Sequence, residues 1–269
     1  MRWNVINGLI SNQIAWISRN MIVNKEFQEK GAKTFTKAFF DYPMFEWCLP
    51  DETRRKEQLS VFFKMIVSHG VRYGSLESTS TDYEGFMHYL PPSVPAPGTL
   101  RWMRCGGLKL IISFSPLSIK RLEIINTIVD EMRDRCIQAP HFYIMQVGVD
   151  PAHQGKGNCR LLFNKLFAIS EAVNQPCYLE TMKIKNLDIY KHFGFSLADE
   201  RKIPGSPLTV YGMIRWPASV FLKILRPLSI AFCVEGATWD PWQVQIKRSM
   251  SLVPVLNTSS TRFFQSYLL

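Results

Sequence analysis

The chain has 269 residues and a mass of 31.1 kDa, is 46% hydrophobic and 20% charged, and carries a formal charge of +10 with a pI near 9.4. That balance suits one large domain, or one domain with appendages, and excludes a disordered or collagen-like chain. Arg, Lys, Pro or Asn breaks every apolar run short of the roughly 18 residues a bilayer span needs, so a soluble protein without a membrane span is expected.

Six cysteines (Cys48, Cys105, Cys136, Cys159, Cys177, Cys233) form no Cys-x-x-Cys pair, and the five histidines have no zinc-type spacing. No metal is expected, and reduced thiols fit a cytoplasmic location. The two ends, residues 1–23 and 218–269, supply +2 and +3 of the net charge, which leaves the middle only mildly basic. Without a dense Lys/Arg run or an aromatic stacking motif, this argues against nucleic acid as the main partner and leaves room for a small polyanion.

Residues 1–23 are apolar, Asn-rich and acid-free, and read as an unassigned appendage. Phe27 to Phe40 has helical composition and should stop at Asp41-Tyr-Pro43, because proline disfavours the helical conformation of its predecessor. Asp51 can cap a helix in which Leu59, Phe62, Phe63, Ile66 and Val67 fall on one face. His69 to Gly85 reads as turns and short polar runs, and Gly85 to Leu90 as a strand ended by Pro91 and Pro92. Four prolines make residues 91–98 a surface loop. Leu122, Ile125, Ile128, Val129, Met132 and Cys136 mark a further helix. Phe142 to Val149 is a buried strand, interrupted at Gly155 and Gly157, and Leu162, Leu166, Ile169 and Val173 carry the helix that follows. Cys177 to Met182 is a second buried strand, Leu187 to Phe193 a short helix, and Leu208 to Trp216 a last strand. This alternation is that of an α/β domain over residues 24–217, followed by an unassigned tail over 218–269.

The chemistry concentrates in Val147-Gly-Val-Asp-Pro-Ala-His-Gln-Gly-Lys-Gly-Asn-Cys159, between a strand and a helix. Such a junction directs unpaired amides and the positive end of a helix dipole at one point, which attracts phosphate. Gly155 and Gly157 permit positive φ, Lys156 adds charge, and Gln154 can supply a donor. A plain connecting turn is the alternative. The loop is neither a Walker A sequence, which needs Ser or Thr after Gly-Lys, nor a dinucleotide fingerprint, because Arg160 replaces its last glycine.

The stretch Gln154-Gly-Lys-Gly157-Asn-Cys159 resembles the pyrophosphate loop of the GCN5-related N-acetyltransferases, with Cys159 at a position the family fills with Gly or Ala. Tyr178-Leu-Glu-Thr-Met182 and Asn186-Leu-Asp-Ile-Tyr190 through Gly194-Phe195 resemble the family's next block. More weakly, Lys37 to Phe45 resembles its first-helix segment and Tyr89-Leu-Pro-Pro92 one subgroup's strand end. A first strand ahead of Phe27 is missing. The resemblance implies a mixed, mostly antiparallel central sheet with a splayed strand pair and helices on both faces.

It also implies acetyl-CoA as cosubstrate and direct attack by a primary amine, in keeping with the absence of a nucleophile elbow. Backbone groups at Val147 and Val149 would bind the pantetheine arm, Gln154, Gly155, Lys156, Gly157, Asn158 and Cys159 the pyrophosphate, and Asn186 the cofactor arm or the start of its own helix. Tyr190 is the candidate general acid and Glu180 the candidate base, while Gln146 occupies a position where some relatives carry a glutamate. His153 and His192 read as solvent-facing, Cys177 as apolar filler and Gly194 as a helix cap. Acceptor recognition falls to Asp41–Asp51, with Tyr42, Phe45, Glu46 and Trp47. The resemblance points to a small-molecule or peptide amine and is compatible with a homodimer. A non-catalytic acyl-CoA-binding module is the alternative.

Overall fold

Local stop and start signals shape the first third of the domain. In the computed structural model, which describes residues 25–218, α1 (Lys25–Ala38) ends ahead of Pro43, which opens a short helix α2 (Pro43–Cys48). The Asp51 carboxylate accepts from the amides of Thr53 and Arg54 and caps α3 (Glu52–Tyr73), an interaction worth about 1 kcal/mol. The appendage over 1–23 and the tail beyond Ala218 lie outside the described residues.

The expected strands form the interior of a six-stranded sheet. They are β2 (Gly85–Leu90), β3 (Phe142–Val149), β4 (Cys177–Thr181) and β6 (Thr209–Arg215), flanked by β1 (Ser75–Ser78) and β5 (Ser196–Lys202), in the order β1-β2-β3-β4-β6-β5. Neither edge strand was expected. β1 lies where turns were anticipated, and β5 reads Ser-Leu-Ala-Asp-Glu-Arg-Lys, a polar sequence suited to a half-exposed edge.

All strand pairs are antiparallel except β3 with β4, whose pairing runs only from Phe142–Cys177 to Ile144–Leu179. There the register of β3 against β2 slips, from Tyr89–Ile144 to His88–Gln146, leaving Met145 as an extra residue. A bulge bends and twists its strand, and β3 leaves β4 at that residue.

Alternating side chains separate two cores. Phe86, Tyr178, Val210 and Ile214 face α1, α3 and α6 (Pro116–Cys136), together with Phe35, Phe63 and Met132. Met87, Ile144, Leu179 and Met213 face α7 (Asn158–Val173) and α8 (Lys185–His192), with Leu162, Phe163 and Leu166. Helices cover both faces, as expected. α6 begins ahead of its apolar repeat because Ser115 accepts from the Ser118 amide and Pro116 suits a first helical turn. Between β2 and α6 the chain forms α4 (Thr99–Trp102), a widened turn over Met103–Gly107 broken at Gly106 (φ 117°), and α5 (Leu108–Ser113). No helix among the described residues is long and apolar enough to cross a membrane.

Candidate functional site

Beyond Ile144 the β4-facing edge of β3 has no strand partner, and the gap opens into a cavity of about 930 Å³. Its wall includes Val147 and Val149 on one side and Glu180 and Thr181 on the other, and it extends to the loop at Gly155–Cys159 and to Tyr190.

The loop has the conformation its glycines allow. Gly155 and Gly157 lie at φ 76° and 83°, and a side chain on either would project into open space. Gly157 is the N-cap of α7, and the first bond of that helix runs from the Leu161 amide to the Gly157 carbonyl, 3.1 Å away. The amides before Leu161 at this helix start have no intrahelical acceptor. The Asp150 carboxylate anchors the loop by accepting from the Ala152 amide and from Lys37 Nζ at 2.5 Å.

The polar side chains of the loop, Gln154 expected to supply a donor and Lys156 a charge, hydrogen-bond back to the main chain. Gln154 donates from Nε2 to the Val149 carbonyl (3.1 Å), Lys156 from Nζ to the Ala152 carbonyl (3.2 Å), and Asn158 from Nδ2 to the His153 carbonyl (3.0 Å). They shape the loop, and what it turns toward the opening is main chain. Cys159 is partly buried against the Phe163 and Tyr190 cluster, and burial pushes its thiol up to about 11, so it is no nucleophile. His153, expected to face solvent, borders the cavity with a buried and unpartnered Nδ1. His192 is exposed and Cys177 wholly buried, as expected.

A Schellman motif fixes Tyr190. The Phe195 amide donates to the Tyr190 carbonyl, the Gly194 amide donates to the Lys191 carbonyl, and Gly194 sits at φ 85°. The Tyr190 ring stands edge-on to Phe163 and Phe195, at 5.9 and 6.0 Å between centroids. Burial pushes its phenol well above 10, reinforced by the nearby Tyr42 hydroxyl and Cys159 thiol, so Tyr190 keeps its proton. Asn186 lies inside α8 rather than capping it, because the helix starts at Lys185; its Nδ2 donates to Thr181 Oγ1 (3.2 Å). The Tyr42 hydroxyl meets the same oxygen at 3.2 Å and accepts from the Met182 amide at 2.7 Å. The loop after α1 is thereby clamped to the end of β4.

Glu180 lies on the α6 face of β4, where the Arg133 guanidinium and the hydroxyls of Tyr143 and Tyr178 favour its carboxylate. Desolvation outweighs all three and pushes its pKa up to about 8, and its Oε1 is buried without a partner. A carboxyl tuned to that range can exchange protons near neutral pH.

The acceptor side departs furthest from expectation. Tyr42 and Phe45 do line the cavity, but Glu46 and Asp41 are exposed away from it, and Trp47 lies under the Arg121 guanidinium, 4.8 Å from its ring. A buried histidine pair stands behind Gln146. Gln146 Oε1 is 3.1 Å from His88 Nδ1, and His88 Nε2 is 3.3 Å from His69 Nδ1. Burial lowers the two imidazoles to about 3 and 4, so both are neutral, and their tautomer decides whether Gln146 turns a donor or an acceptor to the cavity. Gly70 on α3 and Gly74, which caps its end, make the slot, since a Cβ on either would come within 2.9 Å of the His88 ring. A glycine inside a helix, as at Gly70, is the sequence signal for such a close approach.

No protein-family profile matches the chain. An uncharacterized N-acetyltransferase of the fission yeast Schizosaccharomyces pombe is 31% identical over 176 residues, which cover 62% of this chain and 70% of that protein. A solved Corynebacterium glutamicum structure, described as histone acetyltransferase HPA2 and related acetyltransferase, aligns with a TM-score of 0.50 and 16% identity over 73% of this chain and 94% of that one. At that identity the likeness is one of fold.

Proposed function

This chain belongs to the GCN5-related N-acetyltransferase family and is an acyltransferase, and from that premise we propose that it moves an acetyl group from acetyl-CoA to a primary amine that attacks directly. The observation that carries the reading is one continuous opening. The bulge at Met145 parts β3 from β4, and the parted edge, the positive-φ loop and Tyr190 border the same cavity.

The site suits coenzyme A because its glycines leave open space where side chains would stand and its helix start leaves amides without acceptors. When bound, the cosubstrate supplies an acetyl thioester. Gly155, Gly157, Asn158 and Cys159 hold the diphosphate through main-chain amides, with Lys156 adding charge. Val147 and Val149 present the unpaired edge of β3 to the pantetheine arm and to the thioester carbonyl, where an amide donor is worth about 3 kcal/mol as negative charge develops. Asn186 and Tyr42 keep the facing end of β4 in place through Thr181.

Glu180 takes a proton from the amine before attack. Tyr190 gives its proton to the departing sulfur, and the desolvation that keeps the phenol protonated also makes a nascent thiolate more basic.

The test is a thermal-shift titration with acetyl-CoA, CoA and ATP. Ligand at about 100 times its dissociation constant adds about 2.7 kcal/mol of stability. Stabilisation by both coenzyme A compounds and not by ATP is expected, and equal stabilisation by ATP would refute the cradle.

A further inference from the structure

Large apolar side chains rarely gather on a water-facing surface without a reason. Among the described residues, six of the ten that stand exposed fall within eighteen consecutive positions: Leu100 (64% exposed), Met103, Leu108, Ile111, Ile112 (77%) and Leu117. In α5 the residues Leu108, Ile111 and Ile112 are spaced i, i+3 and i+4 and share one helix face. Trp102 and Leu110 in the same segment turn inward and line the cavity, and the half-exposed Met103 and Ile111 reach its rim, which leaves Leu100, Leu108, Ile112 and Leu117 on the outer side. The segment is therefore apolar on two sides, and only one of them has a core to pack against.

The charges within the segment itself have one sign. From Gly85 to Leu122 the chain contains no Asp or Glu but holds Arg101, Arg104, Lys109, Lys120 and Arg121. Two of these are engaged. Arg101 donates to the Pro95 carbonyl and lies over the Tyr73 ring, and Arg121 donates to the Trp47 carbonyl. Arg104, Lys109 and Lys120 are exposed, and among the described residues none has a carboxylate partner. Exposed apolar tips ringed by unneutralised cations complement a surface that is apolar within and anionic at its border. The helices here are too short to cross a bilayer but can lie in its interface.

We propose that Thr99–Leu122 docks this enzyme on an anionic phospholipid surface. The apolar tips enter the headgroup boundary, and Arg104, Lys109 and Lys120 meet lipid phosphates. The opposite side of the segment walls the cavity, so docking brings that wall up to the membrane.

The experiment is co-sedimentation of the full chain with vesicles of phosphatidylcholine alone or mixed with phosphatidylserine. Binding to the mixed vesicles that weakens with salt is expected, with little binding to phosphatidylcholine alone. Each cation near such a surface contributes about a fivefold factor, so Arg104→Gln with Lys109→Gln should lower partitioning by about 25-fold. Leu108→Ser with Ile112→Ser, both off the cavity, should abolish it. Both double variants alter exposed side chains and should melt like the parent, which separates lost docking from lost folding. Failure of the parent to bind mixed vesicles overturns the proposal, as does unchanged binding by both variants, which would assign the contact to another segment. If the apolar-face variant instead splits a dimer of a parent that never binds vesicles, the face is an interface between copies of the chain. None of these readouts depends on acetyl transfer.

Discussion

The two sides of the cavity are built from different materials. Along Val147–Cys159 what faces the opening is main chain: an unpaired strand edge, two glycines at positive φ and the first amides of α7, with Gln154, Lys156 and Asn158 turned back to hold the loop. Across from it, at Tyr42, Phe45, Gln146 and Glu180, what faces the opening is side chain, tuned by contacts from distant segments. On the proposed function, the diphosphate of coenzyme A has a fixed shape and can be held by backbone. An amine acceptor varies and has to be met by side chains.

Four substitutions probe that contrast. Tyr190→Phe removes the phenol proton placed beside the main-chain wall. Turnover should fall about 10²- to 10⁴-fold while affinity for acetyl-CoA changes little, as steady-state kinetics and calorimetry will show. A comparable loss of affinity would move Tyr190 from proton donor to packing residue.

Glu180→Gln probes the side-chain wall and should lower turnover about 100-fold. In the parent, kcat/KM should rise with pH through about 8, the value to which burial raises Glu180, and that limb should vanish in the variant. Stability carries an independent signature. The folded chain keeps a proton that the unfolded chain sheds near pH 4.5, so the parent loses stability as pH rises from about 4.5 to 8. The glutamine variant lacks that slope and should be the more stable protein at pH 9, by a few kcal/mol at about 1.4 per pKa unit. Equal melting at pH 9 would show that the buried carboxylate carries no such cost.

Gly157→Val tests the backbone cradle. A β-branched residue at φ 83° is strained, and its side chain stands in the ligand's space, so affinity for acetyl-CoA should drop about tenfold or more by calorimetry. Lys156→Ala should have the smallest effect, about two- to fivefold, and the difference should fade in high salt because this ammonium is exposed and folded back on its own loop. A larger effect from Lys156 than from Gly157 would invert the contrast and make the phosphate site one of side-chain charge.

The same division governed what could be read from the amino acids. The interior strands β2, β3, β4 and β6 announced themselves because burial on both faces makes them apolar, whereas the edge strands β1 and β5 are polar and short of periodic signal. The loop glycines were legible because positive φ is a local demand. Glu46 and Trp47 were expected to meet the acceptor, but α2 turns Glu46 to solvent and Trp47 toward Arg121. The pairing of Gln146 with His88 and His69 joins three segments, and its one trace was the helix glycine Gly70.

By itself the order of residues determined the family, the interior of the sheet and the positive-φ glycine loop, since each depends on backbone conformation or on burial that a short stretch encodes. Only the tertiary structure decided where β3 parts from β4, which carboxyl acquires a pKa near neutrality, and which apolar side chains are left facing water. Those outcomes are set by desolvation and by contacts between residues far apart in the chain, and neither leaves a local pattern.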